Sequence, residues 1–134
     1  FANWYQVQAQ EERDHAMMMR RYLIDNGVRG TFSKISKPDK TYKKHSDALE
    51  FGLEHEQFVT ASIAEIYAAA NELKDFKTMQ FLDWFVKEQG EEEKNAEDLI
   101  KKMKLFGSDA KGLYMLNQEL AARTYAAPVN APAM

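Results

Sequence analysis

The chain has 134 residues, 45% of them hydrophobic, which suffices for one domain with a single core. Its 18 basic and 21 acidic side chains are interspersed and form no basic stripe for nucleic acid, and no apolar run approaches the roughly 20 residues that span a bilayer. The absence of cysteine suits the cytoplasm and excludes disulfides and thiolate metal sites, so any metal must be bound through oxygen or imidazole nitrogen.

Apolar residues that recur at steps of three and four predict four helices and no strand. Their limits follow from capping residues ahead of each periodic stretch and from glycine or asparagine behind it. The predicted helices cover residues 1–25, a second stretch with Ser46 or Asp47 as N-cap that ends near residue 73, residues 76–106, and a short stretch with Asp109 as N-cap that ends at residue 123. Residues 124–134 predict a flexible Ala/Pro tail.

Residues 28–45 predict an unusually long connection between the first two helices. Fully extended, it spans on the order of 60 Å, which exceeds the roughly 42 Å length of a 28-residue helix. The connection therefore has the length to cross a helical bundle, so that the first two helices run parallel. Three long helices leave one side of such a bundle open, and we expect a fourth long helix to precede Phe1.

Each long helix carries groups that are costly to bury in the middle of its apolar face. The predicted face of the first helix comprises Phe1, Tyr5, Gln8, Glu12, His15, Met19 and Tyr22. That of the second comprises Leu49, Gly52, Glu56, Val59, Ile63, Ile66 and Ala70. That of the third comprises Leu82, Phe85, Gln89, Glu92, Ala96, Leu99 and Met103. A buried, unpaired carboxylate costs several kcal/mol, so a partner must compensate these groups.

The spacing of these polar groups indicates a metal site. Glu12 and His15 lie three positions apart, on one helical face, as two ligands of one metal require. Glu56 and Glu92 lie equally far from the turn at Lys74, so in an antiparallel pair their side chains are level. Carboxylates with an imidazole suit iron or another first-row divalent ion, and several carboxylates suit two cations.

Glu11, Glu88 and Glu91 lie one position from these faces. They predict either a secondary acidic site or ordinary solvated helix charges, which lysines at helical spacing such as Lys94 and Lys101 would offset. The three methionines at 17–19 predict core packing. His45 and His55 are expected to be structural or exposed.

Several segments together resemble those of prokaryotic non-haem ferritins. They are AQEERDHA at 9–16, HEQ at 55–57, WFVKEQGEEE at 84–93, Gly112-Leu113-Tyr114 and Gln118-Glu119-Leu120. The resemblance covers residues 1 to about 123 and implies an all-α, ferritin-like four-helix bundle with a long crossover connection and a short C-terminal helix. The bundle's first helix, which in the family supplies another carboxylate and a tyrosine, is not in this sequence.

The resemblance also implies a function. It implies a shell of twenty-four identical subunits that stores ferric mineral, with a di-iron ferroxidase centre in each subunit that uses Fe(II) and O2 or H2O2 and contains no haem. By position, the implied ligands of the two irons are Glu12, His15, Glu56, Gln89 and Glu92. The implied ligands of a third iron are Glu11, Glu88 and Glu91.

Two alternatives stay open at the level of sequence. A non-catalytic storage or structural subunit of a ferritin shell is one, although such a chain should lack the site carboxylates. A rubrerythrin-like di-iron oxidase or peroxidase is the other, although that group carries two Glu-x-x-His units and only the one formed by Glu12 and His15 is visible here. Bacterioferritins are disfavoured for the same reason.

Overall fold

Four helices make up the regular structure of residues 1–132, the part of the chain that the computed structural model describes. They are α1 (Ala2–Asp25), α2 (His45–Glu72), α3 (Phe76–Phe106) and α4 (Ala110–Ala121). Those residues contain no strand, so the predicted all-α class is confirmed. No helix among them combines the length and apolar character needed to cross a membrane.

The chain divides into two compact units. The first contains residues Phe1–Lys40, and therefore α1, together with the chain from Tyr114 onward. The second, Thr41–Leu113, contains α2 and α3.

In the second unit, α2 and α3 form an antiparallel hairpin with a tight turn. Lys74 takes a left-handed conformation there, with φ of 55°. Asp75 then caps α3, because its carboxylate accepts hydrogen bonds from the backbone N–H and the hydroxyl of Thr78. Farther from the turn, the Tyr67 hydroxyl donates to Asp83 at 3.0 Å. These contacts fix the register of the hairpin.

The predicted apolar face of α3 is confirmed in full. All seven residues of that face are buried, including the polar pair Gln89 and Glu92. For α2 the prediction was partly wrong, because Ile66 is 49% exposed. The buried residues of α2 are Leu49, Ile63 and Ala70, which recur at multiples of seven. Such spacing gives a narrow seam, as expected of a helix that packs against a single partner in its unit.

Two predicted helix ends need correction. Helix α2 begins at His45 with Lys44 as N-cap, not behind Ser46 or Asp47. Asp47 still caps the helix, but from its third position, where its carboxylate accepts from the N–H groups of Lys43 and Lys44 at 3.1 Å. Helix α4 ends at Ala121 and not at residue 123, because the N–H groups of Ala122 and Arg123 bond to carbonyls three residues earlier instead of four.

The other segments are the start of α4, the long connection, the two exposed histidines and the residues after α4. Asp109 caps α4, since its Oδ1 accepts from the N–H of Gly112 at 2.8 Å. Residues 28–42 contain no helix or strand, which confirms the long connection. His45 and His55 are exposed, as predicted. Residues 124–132 of the predicted tail contain no helix, and its last two residues, 133–134, lie outside the described part of the chain.

Candidate metal centre

Helix α1 brings two of the predicted ligands together. His15 is only 7% exposed, and its Nδ1 lies 3.5 Å from Oε2 of Glu12, one turn earlier on the same face. A cation about 2.1 Å from both atoms would see them roughly 110° apart, so the separation suits two ligands of one ion. The donor pair of carboxylate and imidazole is typical of sites for first-row divalent metals.

The carboxylate of Glu12 is also held from its other side. The amide Nε2 of the buried Gln8 donates to Oε1 of Glu12 at 3.0 Å. Glu11, the neighbouring predicted residue, forms an ion pair with Arg123 in which both side chains are largely buried. Both contacts belong to the first unit; the Gln8–Glu12 bond lies within α1, and the Glu11–Arg123 pair joins α1 to the segment that follows α4.

Asp14 is a buried polar residue that the sequence analysis missed. It is 4% exposed, and its carboxylate accepts hydrogen bonds from the hydroxyl of Tyr125 at 2.5 Å and from the amide of Gln10 at 3.3 Å. It lies off the predicted face of α1. The sequence nevertheless contained a signal for the burial of Asp14, because the buried residues Val7, Asp14 and Met18 recur at steps of seven and four.

We expect Tyr125→Phe to lower the thermal unfolding midpoint by about 2–5 °C, because a buried carboxylate loses a donor. The hydrogen bond to Asp14 raises the pKa of the Tyr125 hydroxyl. The stabilisation from this hydrogen bond is therefore present at pH values below the ordinary tyrosine pKa of about 10, and it is lost as the pH rises through the raised pKa of Tyr125. The difference between variant and parent should shrink accordingly at alkaline pH.

Tyr114→Phe is the matched control for this prediction. The Tyr114 hydroxyl bonds to Gln118 on the exposed surface of α4, where removal of a hydroxyl costs little. Calorimetry of both variants at neutral and alkaline pH provides the measurement. Equal midpoints for the two variants at neutral pH would contradict the role given to the Tyr125–Asp14 bond.

The α2–α3 hairpin carries the other predicted ligands. Gln89 on α3 donates through Nε2 to the Oε2 and the backbone oxygen of Glu56 on α2, both at 3.2 Å. The hydroxyl of Thr60, one turn from Glu56, donates to Glu93 at 2.5 Å. Glu92 is buried on the same face of α3 as Gln89. Glu56 is therefore level with the predicted ligand segment of α3.

The remaining acidic residues of α3 take part mostly in ordinary helix ion pairs. The exposed Glu91 lies 3.3 Å from Lys87, one turn away. Lys94 pairs with Asp98, and Lys101 lies 3.3 Å from both Glu97 and Asp98. Ion pairs at this helical spacing are what the sequence analysis expected if these acidic residues are solvated helix charges. Glu88, the other predicted residue, is half-buried.

The predicted ligands thus belong to two different units. The first unit supplies Glu12 and His15, and the second supplies Glu56, Gln89 and Glu92. Among the described residues, 1–132, no group of three or more histidine, aspartate or glutamate side chains is arranged so that it could hold a metal ion. The donor chemistry of each unit suits a hard divalent cation, and neither unit has a complete ligand set of its own.

Comparison with known proteins relates most of the chain to one family. Residues 1–106 match the family model described as ferritin-like domain. The chain is 38% identical over 125 residues to a bacterial non-heme ferritin of Staphylococcus saprophyticus, a match that covers 93% of this chain and 75% of the relative. It is 34% identical over 119 residues to a probable bacterial non-heme ferritin-like protein of Haemophilus influenzae, with coverage of 89% and 72%.

Solved structures agree with the sequence matches. A humanized archaeal ferritin superposes with a TM-score of 0.92 at 41% identity, across 95% of this chain and 77% of that one. An open-pore ferritin from Archaeoglobus fulgidus superposes with a TM-score of 0.90 at 40% identity, across 92% and 76%. The all-α ferritin fold is thereby established, and the chain belongs to the ferritin family, among its prokaryotic non-haem relatives.

Proposed function

We propose that this chain stores iron and acts as a ferroxidase, oxidising Fe(II) to Fe(III) at a di-iron centre. The proposed ligands of the two irons are Glu12, His15, Glu56, Gln89 and Glu92. The observation that carries the proposal is the burial of His15, Gln89 and Glu92 at the middle of helical faces, in a chain of this family. Burial of such groups is costly unless a charge or hydrogen bond compensates it.

The contacts around Glu56 and Glu12 support a cation-binding role. Each carboxylate accepts a hydrogen bond from a glutamine amide, Gln89 in one case and Gln8 in the other. An ionised carboxylate offers about four acceptor sites, so one such bond orients the group and leaves capacity for a cation. Gln8 is not among the proposed ligands, and metal ligands such as Glu12 are commonly oriented by neighbours that do not touch the metal.

Iron is the substrate of the proposed reaction. Two ferrous ions each lose one electron to dioxygen, which takes up two protons and leaves as hydrogen peroxide; with peroxide as oxidant, two water molecules form. Carboxylate oxygens are hard anionic ligands, and they stabilise the ferric product more than the ferrous substrate because its charge is higher. The ferric product then moves on to storage as mineral.

A third iron site at Glu11, Glu88 and Glu91 is proposed on family resemblance alone. The ion pairs of Glu11 with Arg123 and of Glu91 with Lys87 compete with a cation for two of these carboxylates. We therefore expect this site to bind iron more weakly than the two principal positions. The centre is proposed to function without haem.

The storage function requires an assembly. We propose a shell of twenty-four copies of the chain in the cytoplasm, as the family resemblance implies. Mass photometry of the purified protein should give a particle of twenty-four chain masses. A particle of two chain masses that does not enlarge with concentration would contradict the shell and leave the catalytic proposal to be judged on its own test.

The test of ferroxidase activity is aerobic oxidation of added Fe(II), followed by the absorbance of the ferric product. The parent should oxidise iron rapidly, and the Glu56→Ala, Glu92→Ala double variant should be at least about ten-fold slower, as expected on loss of metal ligands. The control is Glu54→Ala, Glu97→Ala, which removes one exposed acid from each of the same two helices. It should keep the parent's rate.

Equal slow rates in the parent and both double variants would contradict the proposal. A non-catalytic storage or structural subunit of the shell would then be the better interpretation. Rapid oxidation in all three proteins would place the chemistry outside Glu56 and Glu92, and would equally contradict the assigned ligands.

A further inference from the structure

Arg123, two residues beyond the end of α4, starts a chain of hydrogen bonds that leads to Glu12. Its Nη1 donates to Oε1 of Gln8 at 2.9 Å, and Nε2 of Gln8 donates to Oε1 of Glu12 at 3.0 Å. The other oxygen of Glu12 faces Nδ1 of His15 at 3.5 Å. All four residues lie in the first unit, although Arg123 is far from the others in sequence.

The direction of this chain follows from the chemistry of its first member. A guanidinium group has only donors, so the atom of Gln8 that faces Arg123 must be the carbonyl oxygen. The amide nitrogen of Gln8 must then face Glu12. In the opposite orientation, the carbonyl oxygen of Gln8 would face the Glu12 carboxylate and repel it. Arg123 thus determines which end of the Gln8 amide reaches the proposed iron ligand.

Arg123 is itself firmly held. Its guanidinium lies over the ring of Trp4, 4.8 Å from the ring centre, and it pairs with Glu11. Its backbone oxygen accepts from Nδ2 of Asn3 at 2.8 Å, and the oxygen of Ala121 accepts from the same atom at 3.0 Å. These contacts place the guanidinium before any metal arrives, so little entropy remains to be lost when Glu12 binds one.

We infer that Arg123 is a positioning residue for Glu12 and acts through Gln8. The inference rests on the proposed role of Glu12 as an iron ligand and assigns a task to the segment after α4. Neighbours that orient metal ligands typically change metal affinity or activity by about 10- to 100-fold when they are removed. Loss of Arg123 should therefore weaken metal binding although Arg123 does not touch the metal.

The test is a double-mutant cycle read out by binding of Co(II), a redox-stable stand-in for Fe(II), measured from its visible spectrum. The cycle comprises Arg123→Ala, Gln8→Leu, and the two combined, all made in a Glu11→Gln background that serves as the parent, so that loss of Arg123 does not release a carboxylate that could bind Co(II). Each single variant should bind Co(II) about 10-fold more weakly than the parent. The combined variant should lose no more than Gln8→Leu alone, because both changes break the same chain of bonds. Arg21→Ala is the control, since it removes a different arginine ion pair from α1, that with Asp25.

A merely structural role of Arg123 predicts a different pattern. In that case the losses of Arg123→Ala and Gln8→Leu would multiply in the combined variant, and this outcome would overturn the inference. Unchanged Co(II) affinity in Arg123→Ala would do so as well. The Arg21→Ala control should bind like the parent, and an equal loss there would also count against a specific role of Arg123.

Glu12→Ala separates failure of this inference from failure of the proposed function. If Glu12→Ala weakens Co(II) binding and Arg123→Ala does not, only the positioning role fails. If Glu12→Ala itself binds Co(II) like the parent, the assignment of Glu12 as a metal ligand fails, and the positioning role fails with it.

Discussion

A His15→Ala variant is expected to oxidise Fe(II) at least about ten-fold more slowly than the parent, the effect typical of damage to a metal site. The change removes the only imidazole among the proposed ligands. The side chain is buried and lies 3.5 Å from the Glu12 carboxylate, whereas the other two histidines of the chain, His45 and His55, are exposed. Stopped-flow absorbance after mixing with oxygenated buffer measures the rate.

His55→Ala is the control for this result, because His55 lies exposed on α2, next to the proposed ligand Glu56. Its rate should match the parent's. Circular dichroism should give near-equal helix content for both variants, which excludes unfolding as the cause of the loss. Equal rates for His15→Ala and the parent would contradict the assignment of His15 as a ligand of the proposed centre.

Phe85→Ala is expected to produce the largest loss of stability, about 3–5 kcal/mol of the free energy of unfolding. Phe85 is 2% exposed and is one of the two most completely buried large side chains of the described residues. The centroid of its ring lies 5.2 Å from the ring centroid of Phe81 and 5.0 Å from that of Trp84. The contact with Trp84 is edge to face. Truncation therefore leaves a cavity and removes two aromatic contacts.

Phe76→Ala is the control for this cavity, since the same atoms are removed from a ring that is 70% exposed at the start of α3. We expect a change below about 1 kcal/mol there. Denaturant unfolding monitored by circular dichroism gives both values. A loss at position 76 as large as that at position 85 would contradict the assignment of the core to the buried face of α3.

The helices were predictable to different degrees for a physical reason. The face of α3 was predicted residue by residue because its buried side chains recur at regular steps of three and four from Leu82 to Met103. On α2 more residues are apolar than are buried. Periodicity alone therefore predicted Ile66 on the buried face, although Ile66 is exposed. Helix starts depend on side chains that cap from either side of the boundary, as Asp47 does from within α2.

The candidate site was predictable only where its residues follow helical periodicity. His15, Gln89 and Glu92 were expected on buried faces, and they are buried, whereas Glu12 and Glu56, expected there as well, are only half-buried. The contacts of Arg123 were not predictable. They join α1 to residues more than a hundred positions later, and they depend on how the backbone turns after α4. No local sequence pattern predicts such a turn, whereas residues that recur at steps of three and four predict a helical face.

The most direct test of the ferroxidase proposal is the stoichiometry of rapid Fe(II) oxidation. Anaerobic protein is loaded with increasing Fe(II) and mixed with oxygenated buffer, and the amplitude of the fast phase is measured for each ratio. The proposal predicts a fast phase that saturates at two irons per chain and is lost in the Glu12→Ala, Glu92→Ala double variant. A parent without a fast phase at any ratio, or a double variant that retains it, would contradict the proposed centre.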